Sequence, residues 1–218
     1  MYPNLTPDQQ IKAIHNMMER SSRFLHISGL ASVLVGMIVL IVAWIAQHFL
    51  SFEPASFDYD YTRMVGDTSN ILFLGLGTLL LSFGLGFMLA RRNAHKHCVS
   101  SWTTSSRKML GYFATPLLTG GIVIVLIWLK GWLAMAAPMS LIFYGLAILH
   151  ASHFILTDIK YLGITEVVLG LAAILWIHHS LLIWGIGFGI IHIGYGIYIY
   201  LRYERISSQA LAYRALLL

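Results

Sequence analysis

The sequence predicts an all-α membrane protein of six transmembrane helices, arranged as three tandem helical hairpins. Three observations lead to this fold class. The chain of 218 residues is 58% hydrophobic and only 11% charged, and its mean hydropathy is +0.75, outside the usual balance of a globular domain. Its apolar runs are long enough for helices to cross a bilayer. These runs do not alternate in polarity, so helices are favoured over a barrel.

Residues 1–23 are predicted to form a cytoplasmic amphipathic helix ahead of the membrane region. Thr6, Pro7 and Gln9 have the spacing of a helix cap, with proline at the first helical position. Apolar residues then recur at helical spacing, so one face of this helix can lie on the membrane surface. The segment has no basic start and no cleavage site, so we expect a retained anchor to follow it rather than a removed signal peptide.

Residues 24–206 are predicted to form the transmembrane bundle, and residues 207–218 a cytoplasmic tail. About 20 helical residues cross a hydrocarbon core of roughly 30 Å. The apolar runs that meet this criterion are 24–49, 71–90, 109–129, 132–157, 161–177 and 181–201. The fifth run is the shortest.

Lysine and arginine set the predicted orientation. They are concentrated before the first run, between the second and third, and after the sixth: Lys12, Arg20, Arg23, Arg91, Arg92, Lys96, Arg107, Lys108, Arg202, Arg205 and Arg214. Basic loops stay in the cytoplasm, so both termini are predicted to be cytoplasmic. The connection between the first two runs is acidic, as expected of an external loop.

The spacing of the glycines indicates an internal repeat, from which the three hairpins are predicted. Gly75, Gly77, Gly84 and Gly86 have the same spacing as Gly185, Gly187, Gly194 and Gly196, at a constant offset of 110 residues. A second offset, of 42 residues, aligns Ala147 with Gly189 and His150 with His192. Repeated hairpins occur in transporters, but also in membrane proteins with no transport role.

Four ionisable side chains at membrane depth are the candidate site: His150, His153, Glu166 and His192. Counting about 1.5 Å per residue from the cytoplasmic ends places all four about 7 to 15 Å deep. The last three runs are joined by short turns, so we expect them to be neighbours. The sequence therefore predicts that these side chains converge in the inner half of the bilayer.

A charged group in hydrocarbon is costly unless paired, so such residues often mark a path for ions or protons. Glu166, His150, His153 and His192 match a proton relay or a cation site. Three imidazoles and one carboxylate also match the ligands of a transition metal such as zinc, and haem is a further possible cofactor. The alternative is that each histidine only makes packing contacts with the next helix.

The sequence contains no phosphate-binding glycine loop, nucleophile elbow or zinc-protease motif, so we expect a protein that is not an enzyme. The leading interpretation is a small transporter or sensor that binds a cation, proton or cofactor. One alternative is an accessory or assembly subunit with structural histidines, and another is an intramembrane metal-dependent hydrolase with Glu166 as base. The expected partners are the lipid bilayer and either a second copy or a larger membrane complex, with no nucleic acid.

The stretch MMERSSRFLHISG at residues 17–29, together with the six-run layout, resembles a group of bacterial inner-membrane proteins of similar length. No function is assigned to that group. The resemblance covers most of the chain and implies a multi-pass location in the bacterial inner membrane.

Overall fold

The structure is a computed structural model that describes Thr6 and residues 29–48, 61–96, 104–152 and 158–204. Of the predicted amphipathic helix at 1–23 only Thr6 is described, and the tail at 207–218 and His153 lie outside these residues. Within them the chain is helical and forms no strand, which confirms the all-α class.

The first five long helices follow the predicted apolar runs: α1 Gly29–His48, α2 Tyr61–Lys96, α3 Thr104–Leu129, α4 Ala136–Ser152 and α5 Ile159–Leu175. A short 3-10 turn, Leu133–Met135, leads into α4. Helix α2 starts ten residues before the predicted 71, so part of the predicted external loop is helical.

The last span, Ile177–Arg202, is not a uniform α-helix. Two α-helical segments alternate with two wider π-helical segments: α6 Ser180–Gly185, π1 Ile186–Ile191, α7 His192–Ile199 and π2 Tyr200–Glu204. Single π turns inside a helix often occur at functional sites.

Four of the described helices are long and apolar enough to cross a membrane, namely Gly29–His48, Arg107–Leu129, Leu133–Ser152 and Ile177–Arg202. A shorter apolar stretch, Phe73–Leu89, lies in α2, and α5 has 17 residues. These apolar helices are those of a membrane-embedded protein. The count of six crossings and the three-hairpin order remain predictions.

Helices α4 and α5 pack against each other through glycine. A Cβ at Gly145 would lie 2.6 Å from the Gly163 carbonyl oxygen, and a Cβ at Gly163 would lie 2.9 Å from that of Gly145. A second contact lies seven residues after Gly163 and seven residues before Gly145, where a Cβ at Gly170 would lie 2.9 Å from the carbonyl oxygen of Pro138. Small residues at these crossings let the two backbones touch.

Helix α1 packs against the last span in the same way. A Cβ at Gly196 would lie 2.6 Å from the Gly29 carbonyl oxygen, and a Cβ at Gly36 would lie 2.6 Å from that of Gly189. These two contacts are again seven residues apart on both helices. The molecule therefore contains two close antiparallel helix pairs, α4 with α5 and α1 with the last span.

The two close pairs share a sequence pattern. Gly163, Val167 and Gly170 in α5 have the spacing of Gly29, Val33 and Gly36 in α1, and Ile142, Tyr144 and Gly145 in α4 have that of Ile193, Tyr195 and Gly196 in the last span. The glycine contacts thus relate α4 to the last span at an offset of 51 residues, from Gly145 to Gly196. This equivalence differs from the predicted offset of 42.

The outer helices carry many exposed apolar side chains. In α2, Phe73, Leu80 and Phe87 are 70%, 62% and 61% exposed. An added Cβ at Gly75, Gly77, Gly84 or Gly86 would have nothing within 4 Å. Lipid is the solvent in which such surfaces are stable.

One polar cluster joins the start of α5 to the end of the last span. Arg202 pairs with Asp158 at 3.0 Å, and the Tyr198 hydroxyl donates to the same carboxylate at 3.1 Å. Arg202 also contacts the Tyr198 hydroxyl. These contacts hold together the two helices that carry Glu166 and His192.

Candidate functional site

Glu166 lies on the inward face of α5. The buried residues of that helix, Ile159, Leu162, Gly163, Glu166, Gly170 and Ala173, recur every three or four positions and so share one face. The contact of Gly163 and Gly170 with α4 turns this face inward. The carboxyl group is therefore held in the interior by the packing of its own helix.

His192 is the partner of Glu166. Its Nδ1 atom lies 3.3 Å from Glu166 Oε1, and the two side chains are 5% and 0% exposed. The last span presents His192 at the junction between π1 and α7. The structure thus brings together two of the four predicted site residues, in a place without solvent exposure.

The hydrogen bonds of His192 define its tautomer. Nδ1 lies 3.1 Å from the Gly187 carbonyl oxygen, and Nε2 lies 2.9 Å from the Tyr144 hydroxyl. Because a carbonyl oxygen only accepts, Nδ1 carries a proton. In the neutral ring Nε2 then accepts from Tyr144, whereas in the imidazolium both ring nitrogens donate.

The Glu166 carboxyl has little else to bond. Within the part of the chain that the structure describes, neither of its oxygens has a partner of good hydrogen-bond geometry, and Oε1 lies 3.3 Å from His192 Nδ1. A neutral acid beside a neutral imidazole, and a carboxylate beside an imidazolium, have the same total charge. In the imidazolium, Nδ1 can pass its proton to Glu166 Oε1. This leaves a neutral acid beside an imidazole protonated on Nε2, takes the donor away from the Gly187 carbonyl, and does not change the net charge of the interior.

Aromatic rings surround the imidazole. The ring centroids of Tyr144 and Phe188 lie 5.4 and 5.8 Å from that of His192, and Trp184 lies 5.4 Å from Phe188. The Trp184 indole donates to Ser140 Oγ at 3.0 Å, which ties the last span to α4. The rings fill the space on that side of His192.

An apolar cluster lies toward the first turn of α5. Ile148, Ile159 and Leu162 are buried there, with Tyr195 packed against them. Ile159 and Leu162 lie on the same face of α5 as Glu166, seven and four residues before it. We call these three buried residues the hydrocarbon plug.

His150 does not join the pair. Its side chain is exposed, and its Nδ1 lies 2.9 Å from the Leu146 carbonyl oxygen of its own helix. The predicted convergence of His150 with Glu166 and His192 is therefore not found, because the glycine contact of α4 turns a different face inward. His153 lies outside the described residues, so its predicted role is untested.

The metal prediction rests on the same four residues. Among the described residues, no group of three or more His, Cys, Asp or Glu side chains is close enough to hold a metal ion. The pair of Glu166 and His192 supplies two ligand types, one carboxylate and one imidazole whose two nitrogens already have protein partners. Because His153 lies outside the described residues, the predicted metal site stays a prediction.

Two residues of the site were missed in the sequence. A depth count of groups that ionise near neutrality does not include Tyr144, although its hydroxyl is also a polar group at membrane depth. Gly187 belongs to the glycine pattern of the last span, but its contact with a carboxyl group left no signal in the spacing.

Fold and site together define a class: a helical membrane protein with a buried chain of carboxyl, imidazole and phenol groups. No protein-family model matches the sequence, and neither a curated protein nor a solved structure is significantly similar to it. The function is therefore inferred from the chain's own residues.

Proposed function

We propose that this chain is a small membrane transporter of protons, in which Glu166 and His192 bind and release the proton. The observation that carries the proposal is the 3.3 Å approach of His192 Nδ1 to Glu166 Oε1, with the carboxyl side chain fully buried. Tyr144 completes the chain of exchangeable groups.

The free-energy cost of burying the Glu166 carboxyl group supports a functional role for this residue. A charged side chain at the centre of a membrane helix costs roughly 2.5–3.5 kcal/mol. His192 already has Gly187 and Tyr144 as partners, so its imidazole does not need a carboxyl group to be satisfied. A leucine or glutamine at position 166 would provide packing at lower cost, which makes a proton-binding role the better explanation of Glu166.

The proposal includes six crossings, both termini in the cytoplasm and a place in the bacterial inner membrane. Basic residues at the ends of the apolar runs support this orientation. The single cysteine, Cys98, lies in the basic connection between the second and third runs. A membrane-impermeant maleimide should label Cys98 in inverted vesicles and not in intact cells, and the reverse result would overturn the orientation.

Proton flux through liposomes tests the transport activity. The full chain is reconstituted into vesicles that contain a trapped pH-sensitive dye, and a potassium gradient with valinomycin makes the interior negative. The lumen should acidify with the wild-type protein and much less with Glu166→Gln, which keeps the shape of the side chain but cannot exchange a proton at neutral pH. Acidification no faster than in empty vesicles would contradict the proposal.

His150→Gln is the matched control, because it removes an exposed imidazole from α4 without touching the buried pair. It should leave the flux unchanged. If His150→Gln and Glu166→Gln both abolish flux, the four-residue site predicted from the sequence is favoured over the pair. If neither changes a measurable flux, the pair has a packing role, as in the accessory-subunit interpretation.

A further inference from the structure

Gly187 of the last span faces the Glu166 carboxyl group. It is buried within π1, five residues before His192. A Cβ added at Gly187 would lie 2.7 Å from Glu166 Oε2 and 2.7 Å from Leu141 Cδ2. Both distances are far below van der Waals contact, so no side chain fits at this position while the carboxyl group stays in place.

The two obstructing atoms are the ends of fully buried side chains, Glu166 and Leu141. The carboxyl group has no hydrogen bond of good geometry among the described residues to hold it in place. A methyl group at position 187 would press on both side chains and would therefore displace the carboxyl group. The distance from Glu166 Oε1 to His192 Nδ1 would increase.

The backbone of Gly187 acts on the other member of the pair. Its carbonyl oxygen lies 3.1 Å from His192 Nδ1. This contact holds the proton on Nδ1 and turns Nε2 toward Tyr144. One residue thus provides the space for the carboxyl group and the acceptor that orients the imidazole.

We propose that Gly187 is the positioning residue of the buried pair, and that it sets the contact between Glu166 and His192 through both its missing side chain and its carbonyl oxygen. The consequence for transport rests on the proposed function. The positioning itself does not, because it can be measured on the carboxyl group directly.

Infrared spectroscopy of the full chain in lipid nanodiscs provides the readout. The carboxyl band of Glu166 is identified in pH-difference spectra as the band that Glu166→Gln removes. Gly187→Ala should shift this band, because the carboxyl group moves away from His192. In vesicles the same variant should lose most of the flux.

Two glycines of the same span serve as matched controls. A Cβ at Gly194 has nothing within 4 Å, and a Cβ at Gly185 would make an ordinary contact of 3.6 Å with Ala43. Gly194→Ala and Gly185→Ala make the same chemical change on the same helix. They should leave both the infrared band and the flux as in the wild type.

A double-mutant cycle separates positioning from simple packing. If Gly187 acts through the carboxyl group, the fall in Tm caused by Gly187→Ala should largely disappear when Glu166 is replaced by Ala, because the methyl group then has space. An equal fall in both backgrounds would overturn the proposal. So would an unshifted carboxyl band in a folded Gly187→Ala protein.

The double-mutant cycle still tests the proposal if Gly187→Ala does not fold. If Gly187→Ala fails to fold and the double variant with Glu166→Ala folds, the coupling is supported. If neither folds, the obstruction lies with Leu141 or the backbone, and the proposal is wrong. A wild-type protein without proton flux but with a shifted band in Gly187→Ala would remove the transport function and keep the positioning role.

Discussion

The two close helix pairs have the same backbone packing and different polar contents. In each pair, two contacts seven residues apart bring the backbones together, at Gly145 with Gly163 in one pair and at Gly29 with Gly196 in the other. Three residues after the first glycine of its helix, α5 carries Glu166 and α1 carries Ser32. The equivalent positions thus hold an acid in one pair and a hydroxyl in the other.

Both of these side chains reach the same residue. Ser32 Oγ donates to the backbone carbonyl of His192 at 2.8 Å, while Glu166 Oε1 lies 3.3 Å from the His192 ring. Ser32 of α1 therefore contacts the backbone of His192, and Glu166 of α5 contacts its imidazole. The glycine contacts thus build the same framework in both pairs, and a single side chain on each framework determines which polar group faces His192.

The largest effect is expected from removing the imidazole. His192→Phe keeps a ring in the same space but leaves the Glu166 carboxylate without its partner, and breaking a buried ion pair in this way costs about 3–5 kcal/mol. The free energy of unfolding should fall by this amount in a denaturant titration of the protein in detergent micelles. Adding Glu166→Leu should recover much of the loss, because an apolar residue needs no partner. A double variant as unstable as His192→Phe alone would show that the carboxyl group does not cause the loss.

A smaller loss of stability is expected when a methyl group is added to a glycine of either close helix pair. Gly145→Ala and Gly196→Ala each place a methyl group 2.6 Å from a backbone carbonyl oxygen, and overpacking of this kind costs about 1–3 kcal/mol. The same titration measures both variants.

Gly121→Ala is the control for these variants, since an added Cβ there meets nothing within 4 Å. It should be neutral or stabilise the helix by up to about 1 kcal/mol. Equal losses in the two glycine variants would support the comparison between the pairs. A loss confined to one of them would show that the two crossings are not equivalent.

The smallest effect is expected at Ser32. Ser32→Ala removes the hydrogen bond to the His192 carbonyl, which is worth about 0.6 kcal/mol on average between membrane helices. The carboxyl band of Glu166 should stay unshifted, since the imidazole keeps its own partners. A shift of that band would mean that the two pairs are coupled through the backbone of His192.

The sequence predicts the helices and half of the site. Long apolar runs predict the helices, because a backbone in hydrocarbon must satisfy its own hydrogen bonds and a helix does so within one segment. Counting depth places Glu166 and His192 at nearby levels, and the structure brings them together. Depth alone does not define the direction in which a side chain points around its helix. That direction depends on which face packs against a neighbour.

His150 shows why this matters. It follows Gly145 by five residues, and at about 100° per residue it lies about 140° round the helix from the crossing with α5. The side chain is therefore exposed, although its depth suits the site. The pairing of Gly145 with Gly163 could not be identified from spacing alone, since the chain offers 19 glycines and many possible partners.

The hydrocarbon plug of Ile148, Ile159 and Leu162 bears on how fast a proton could reach Glu166. Aliphatic side chains conduct no protons, and Glu166 has no exposed surface through which water could reach it. In the proposed transporter, proton exchange between Glu166 and the surrounding solution would wait until the helices part, and collective helix motions take roughly microseconds to milliseconds. After a sudden acidification the carboxyl group would respond with a delay determined by the protein rather than by the diffusion of protons.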